Sequence, residues 1–289
     1  MIETDNNARY TVQGRKVTKH WSRLAVTYEG ALKTLKSKGI NAEDVTVEDL
    51  HLLDMLHMGG LAATDEIAAL AKVVSGHLVL DVGSGVGGPA RRLAHKYGAR
   101  VWGIELSERL YQTAVQFTDL VGMQEQVQFK LASALSLPFD DATFDVAAMQ
   151  HVAMQISEKE QLFAELTRVV KPSGRLALHE IFAGEGELFY PLPWATEPSM
   201  SALETISDCS RRLAGAGYAV QDFVDHSEGG RRFHDNAIRN YDAALARNEG
   251  TLGLSREAVE ARRAASVAME KNLRTGSLRV GMLVGQLSG

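Results

Sequence analysis

The chain has one cysteine, Cys209, among its 289 residues. That excludes an intramolecular disulfide and suits a reducing compartment. No apolar run approaches the roughly 18 residues of a membrane-spanning helix. The first residues, Met1 to Tyr10, are polar and lack the apolar core of a signal peptide. The expectation is a cytoplasmic protein with no membrane contact. Basic residues are not in excess: 31 Lys and Arg stand against 36 Asp and Glu, a net charge of −5. A nucleic-acid binder would carry a basic face, so no nucleic-acid partner is expected. No His, Cys and Asp cluster has metal-ligand spacing, so no metal is expected either. Cys209 lies within a helical pattern and reads as packed, not nucleophilic.

What the chain does contain is ordinary in bulk. Apolar residues make up 45% and charged residues 23%, the balance of a globular protein with a substantial core. The specific stretch is Leu78-Val-Leu-Asp-Val-Gly-Ser-Gly-Val-Gly-Gly-Pro-Ala-Arg-Arg-Leu93. Its pattern predicts a buried strand ending at Asp81, a glycine turn and a helix. Gly83, Gly85 and Gly87 permit a tight turn and a close backbone approach to a ligand. The helix offers free N–H groups at its start, and Pro89 suits its first turn. This is a nucleotide-type binding loop.

Upstream, Val17, Trp21, Leu24, Tyr28, Leu32 and Leu35 recur at helical spacing from Lys16 to Lys38. Further helices are expected over Glu48 to Leu56 and from Thr64 through Val74. An N-terminal helical arm or lid over residues 1–75 therefore precedes the loop. Downstream, strands are expected at Arg100–Ile104, Val127–Leu131, Phe144–Met149, Arg175–Ile181, Tyr218–Val224 and Leu278–Leu287, alternating with helices. Ser107 can cap one helix, and Ser157-Glu-Lys-Glu160 reads as a capping box for another. With the loop strand this makes an α/β fold: a doubly wound, Rossmann-like, seven-stranded, mostly parallel sheet. Residues 184–205 hold Pro191, Pro193 and Pro198 beside Tyr190 and Trp194 and read as a loop or lid. Residues 226–275 carry helical stretches at Asn236–Arg247 and Ser255–Asn272, a late helical cap. Both are expected as substrate-cap insertions in a domain spanning 76–289.

The glycines alone fit two nucleotides. Gly83, Gly85 and Gly88 match a dinucleotide fingerprint. Glu105 follows Gly83 by 22 residues at the end of the next strand, where a carboxylate accepts both ribose hydroxyls in either cofactor family. An NAD-dependent oxidoreductase is therefore one reading. Three features favour another. Asp81 stands two residues before Gly83, where an NAD site usually has an apolar residue. An acidic group there can organise the turn and attract the ammonium of a methionine-like ligand. Leu135-Ser-Leu-Pro-Phe139 precedes Phe144-Asp-Val146, and Val169-Val-Lys-Pro-Ser-Gly174 precedes the fifth strand. Together these resemble the class I S-adenosylmethionine-dependent methyltransferases over roughly Gly60 to Ala183. His57-Met-Gly-Gly60 with Ala62-Ala-Thr64 further resembles a small-molecule branch, notably the sarcosine/dimethylglycine N-methyltransferases.

The resemblance implies roles position by position. Gly83, Ser84 and Gly85 would pass under the methionine part of S-adenosyl-L-methionine. Glu105 would hold the ribose and Leu106 would pack on the adenine. Ser133, Ala134 and Leu135 would form the adenine slot, Ser133 replacing an Asp of many relatives and accepting more weakly. Gln150 would face the methionine end. Catalysis in this class is positional, with nucleophile, methyl carbon and sulfur in line and water excluded. A base is needed only where the nucleophile arrives protonated. His151 after the fourth strand and His179 and Glu180 at the end of the fifth are the candidates, His151 and Glu180 foremost; Met154 stands where several relatives carry a catalytic His. Tyr28, His57, His179 and Trp194 are candidate acceptor contacts. Arg231-Arg232 with His234 reads either as an anion site or as a solvated basic turn. The implied function is methyl transfer to a small-molecule acceptor, an amine or hydroxyl favoured, with S-adenosyl-L-homocysteine as product. The alternative is a C-methyltransferase acting on a prenyl or quinone-like precursor. A monomer or homodimer is expected.

Overall fold

In the computed structural model, which describes residues 11–24, 26–247 and 255–289, short aliphatic runs form a central sheet. Its strands are β1 (Leu78–Val82), β2 (Arg100–Glu105), β3 (Val127–Leu131), β4 (Phe144–Gln150), β5 (Val170–Ala183), β6 (Tyr218–Val220), β7 (Val224–Asp225) and β8 (Leu278–Leu287). Their order is β3-β2-β1-β4-β5-β8-β6, with β7 paired to β8 off this path. Among the described strands β8 is the one that runs against the rest, pairing antiparallel with β5, β6 and β7. The sheet thus has eight strands, not the seven expected, because residues 218–225 break into β6 and β7. The chain leaves β1 toward β2 and β3 on one side and reaches β4 on the other. The crevice beyond the ends of β1 and β4 is therefore a topological switch point.

The helices are α1 (Val12–Leu24), α2 (Tyr28–Ser37), α3 (Val47–Asp54), α4 (Gly60–Leu70), α5 (Gly88–Tyr97), α6 (Glu108–Leu120), α7 (Lys159–Val169), α8 (Ile206–Gly215), α9 (Ser227–Ala246) and α10 (Arg256–Thr275). The helix expected over Lys16–Lys38 is two, since extended Thr27 starts α2 by accepting from Gly30 N. A capping box forms at Thr46 and Asp49, opening α3. None forms at Ser157: its hydroxyl donates to the Glu158 carboxylate at 2.9 Å, and α7 starts without a side-chain cap. Ser107 does cap α6. The first helix of the late cap is longer than the expected Asn236–Arg247, because α9 begins at Ser227.

Alternation along the strands sends successive side chains to opposite faces. Leu80, Phe144, Leu176 and Leu178 meet Leu162 and Leu166 of α7 and Leu213 of α8 on one face. Cys209 is buried there too. Val79, Val101 and Ala177 meet Ile67 of α4, Leu93 of α5 and Ala114 of α6 on the other. The described part of the helical arm is joined to this body by a buried ion pair. Arg91 on α5 lies 3.0 Å from Asp54 on α3, both fully enclosed. Arg91 also donates to Val86 O, Ala114 O and Thr118 Oγ1, so the desolvated guanidinium finds several acceptors. The 184–205 segment is irregular except for a 3₁₀ turn at Pro198–Met200. Asn272 of α10 pins it, exchanging hydrogen bonds of 2.8 and 2.9 Å with the Phe189 backbone. Among the described residues no helix is long and apolar enough to cross a membrane.

Candidate functional site

The switch-point crevice opens into a cavity of about 1150 Å³. One end is built from strand termini. Asp81, Gly83, Ser84 and Gly85 come from β1 and its turn, Glu105 and Leu106 from the end of β2, and Ser133, Ala134 and Leu135 from beyond β3. Gly83 has φ +68°, and a Cβ there would fall 2.5 Å from Val152 Cγ2, so the turn demands glycine. Glu105 organises this turn. Its Oε2 accepts from Gly85 N at 2.9 Å and its Oε1 from Ser107 N at 2.8 Å.

Two carboxyls at this end depart from their ordinary state. Burial, and then the neighbouring Glu105 carboxylate, push the Asp81 pKa up to about 7. Burial also raises Glu105 to about 7, against the pull of the backbone N–H groups it accepts from. Asp81 Oδ2, Ser84 Oγ and Gln150 Nε2 are buried without a hydrogen-bond partner among the described residues. Such groups are costly unless a ligand meets them.

The other end is walled by Met58, Met154, Ile181, Leu192, Trp194 and Met269. Helix α1 closes over it: Trp21 Nε1 donates to Gln155 Oε1 at 2.5 Å, and His20 Nε2 to Pro193 O at 2.8 Å. Among the residues lining the cavity are His57, His151 and His234. His57 Nε2 donates to Gly60 O at 3.0 Å, and burial lowers its pKa to about 4. Burial also brings His234 to about 4 and holds His151 well below the usual histidine range. His151 has φ +58°, uncommon for a residue with a Cβ, and strain of this kind collects at functional sites.

Residues 80–178 match the methyltransferase domain family. The chain is 36% identical over 198 residues to methyltransferase GfsG of Streptomyces halstedii, a match covering 67% of this chain and 71% of that protein. The chain belongs to the S-adenosylmethionine-dependent methyltransferases. Two solved structures share its fold. One, described as a sarcosine dimethylglycine methyltransferase from Galdieria sulphuraria, superposes with a TM-score of 0.68 at 17% identity, over 79% of this chain and 86% of that one. The other is geranyl diphosphate C-methyltransferase from Streptomyces coelicolor A3(2), with a TM-score of 0.66 at 15% identity, over 96% and 99%. The NAD-dependent oxidoreductase reading is set aside by the family.

The methyltransferase's cavity collects most of the residues expected from the sequence. Asp81, Gly83, Ser84, Gly85, Glu105, Leu106, Ser133, Ala134, Leu135, Gln150, His57, His151 and Trp194 all line it. Gly87 does not. It precedes α5 at φ +84°, where a Cβ would strike Phe129 and Arg91, so it shapes the turn. Glu180 does not reach the cavity either. Its carboxylate is buried and accepts from Val152 N and Ala153 N, at 2.9 and 3.0 Å through Oε1. It steadies the turn after β4 and is corrected as a candidate base. Tyr28 packs against Phe117, ring centroids 6.0 Å apart, in the core between α2 and α6. His179 lies buried behind His151, outside the lining. Trp194 is fully enclosed and donates to Ser201 Oγ, so it is fixed wall rather than exposed lid. Arg231 pairs with Glu228 and Asp235, and Arg232 with Glu228, on a helix face rather than a turn. His234 alone of that group enters the cavity. Sequence reasoning missed Trp21, Gln155 and Met269. Only the helical spacing of Val17 and Trp21, both cavity residues, signals one of them.

Proposed function

We propose that Asp81, the Gly83–Gly85 turn and Glu105 hold S-adenosylmethionine, and that its methyl group passes to a largely apolar small molecule bearing a hydroxyl. The residues fit the cofactor. The unpartnered Asp81 oxygen suits a cationic group, the Glu105 carboxylate suits ribose hydroxyls, and Leu106 with Ser133 to Leu135 suits an adenine edge. When bound, S-adenosylmethionine supplies a methyl group already activated by a sulfonium. The chain's own tasks are then alignment, exclusion of water and removal of a proton. The observation that carries the acceptor reading is the wall of Met58, Met154, Ile181, Leu192, Trp194 and Met269 around His151. A compact zwitterion such as sarcosine would leave most of that wall uncovered. The basic pair Arg231-Arg232, one of whose two readings is an anion site, is engaged by carboxylates on α9. His151, kept neutral by burial, takes the hydroxyl proton.

A mass-spectrometric screen tests this. Phenols, hydroxyquinones and hydroxylated lactones are incubated with the cofactor beside sarcosine and dimethylglycine. Gain of one methyl group on oxygen is expected in the first set, and preferential methylation of the amines overturns the reading. His151→Ala should lower kcat about 10²- to 10⁴-fold. The same apolar wall favours transfer to a carbon of a prenyl or quinone-like molecule as the second reading, and NMR of the product separates the two by the position of the new methyl group.

A further inference from the structure

Behind the cavity, histidines continue in a line toward the surface. His151 faces the cavity. His179 on β5 is 1% exposed, and His226 immediately precedes α9. Ring centroids stand 4.8 Å apart from His151 to His179 and 5.5 Å apart from His179 to His226. His226 Nε2 lies 3.2 Å from Glu66 Oε2 on α4, a carboxylate 44% exposed. The sheet sets the adjacency: Gln150 pairs with His179 in register, and His151 N donates to His179 O at 2.8 Å. Alternation along β5 sends Glu180 to the other face, so no carboxylate of its own strand meets His179. Neither ring nitrogen of His179 has a hydrogen-bond partner among the described residues.

Two unpartnered nitrogens in a buried ring are a cost without a structural return. A neutral imidazole carries one donor and one acceptor, which together let it take a proton at one nitrogen and release one from the other. We propose that His151, His179 and His226 form a relay that carries the acceptor's proton from the cavity to Glu66 and solvent. This rests on the reading of an acceptor that arrives as X–H. In the transfer the S–CH₃ bond breaks with its electron pair left on sulfur, and the X lone pair forms the X–CH₃ bond. The X–H proton goes to His151. His151 gives its other ring proton to His179, His179 to His226, and His226 to Glu66 or water. The positive charge lost from the sulfonium leaves as that proton. Rotation about χ2, a soft torsion for histidine, brings neighbouring nitrogens into reach and resets each tautomer. Burial keeps His151 and His179 far below the usual histidine range, so no buried imidazolium accumulates. The groups facing the relay are few. His151 meets His57 and His234, His179 meets His57, and His226 meets Glu66. Asp225 beside His226 is engaged by Arg279 and Ser227.

The test uses the full chain, ¹⁵N-labelled at histidine and loaded with S-adenosylhomocysteine. Ring ¹⁵N shifts report tautomer and protonation as pH is varied. The tautomer balances of His179 and His151 are expected to change together at one midpoint, and Glu66→Gln should move that midpoint for both rings. In His179→Phe, which removes two unpartnered nitrogens and keeps a ring, the His151 response is lost. His226→Gln, which can still bond Glu66, should also abolish that response and covers the case of a Phe variant that does not fold. A His151 signal that shares no midpoint with His179, or that is unchanged in His179→Phe or His226→Gln, overturns the relay. Coupling that persists while no hydroxyl compound is methylated removes the acceptor reading and leaves the relay. Hydroxyl methylation without coupling removes the relay alone.

Discussion

The two ends of the cavity are made differently. The end with Asp81, Glu105 and Ser133 uses short contiguous runs at the tips of adjacent parallel strands. Its geometry is fixed by backbone groups: Ser84 N donates to Ile104 O at 2.9 Å and Gly85 N to Glu105 at 2.9 Å. The other end takes Trp21, His57, Met154, Trp194, His234 and Met269 from helices and loops spread over most of the chain. In the proposed reading the sheet tips hold S-adenosylmethionine, and the helices and loops laid over them shape the acceptor space.

The comparison breaks most visibly at α3, which lies beneath the glycine turn and lines the cavity through Leu53 and Asp54. Burial pushes the Asp54 carboxyl up and the Arg91 guanidinium down, and their mutual attraction offsets part of that cost. Asp54→Ala would leave a buried guanidinium without its counter-ion. The expected loss is about 3–5 kcal/mol of stability, read from denaturant unfolding. A loss below about 1 kcal/mol would mean that the Val86, Ala114 and Thr118 oxygens satisfy Arg91 by themselves.

The same contrast governs what the sequence shows. Strands β3 and β8 fall where periodicity places them, and every cofactor residue read from a motif except Gly87 lines the cavity. Those residues are neighbours in sequence, so spacing alone brings them together. The Asp54–Arg91 pair joins positions on two helices that meet only through packing, and no spacing rule reaches across it. His179 and Glu180 are adjacent letters with similar chemistry, yet alternation on β5 sends one behind the cavity and the other to the turn after β4. Tyr28 begins a helix whose inward face meets Phe117 rather than the ligand space. The register of one element against another decides each case, and that is a tertiary fact.

At the cofactor end, Glu105→Ala should weaken S-adenosylhomocysteine binding by about 2 kcal/mol, some 30-fold, because ribose hydroxyls lose a charged acceptor. His234→Ala, at the other end, should leave that affinity unchanged. Titration calorimetry on both variants sharpens the division. Equal losses would mean that the two ends do not act separately.

The smallest expected effect is one of pH. In the free protein Asp81 is pushed up to about 7, chiefly by burial, so it holds a proton over much of the mildly acidic range. A ligand ammonium against Oδ2 favours the ionised form, so binding expels that proton. Affinity for S-adenosylhomocysteine should therefore fall as pH drops below about 7, by at most about tenfold per unit for one proton, and level off above it. An aspartate with its usual pKa would leave affinity flat there. Calorimetry in buffers of different ionisation enthalpy should count about one proton released near pH 6 and almost none near pH 8. In Asp81→Asn both the slope and the high-pH affinity should diminish. A slope that persists unchanged in that variant assigns the proton to Glu105, which burial also raises to about 7, and places the ammonium away from Asp81.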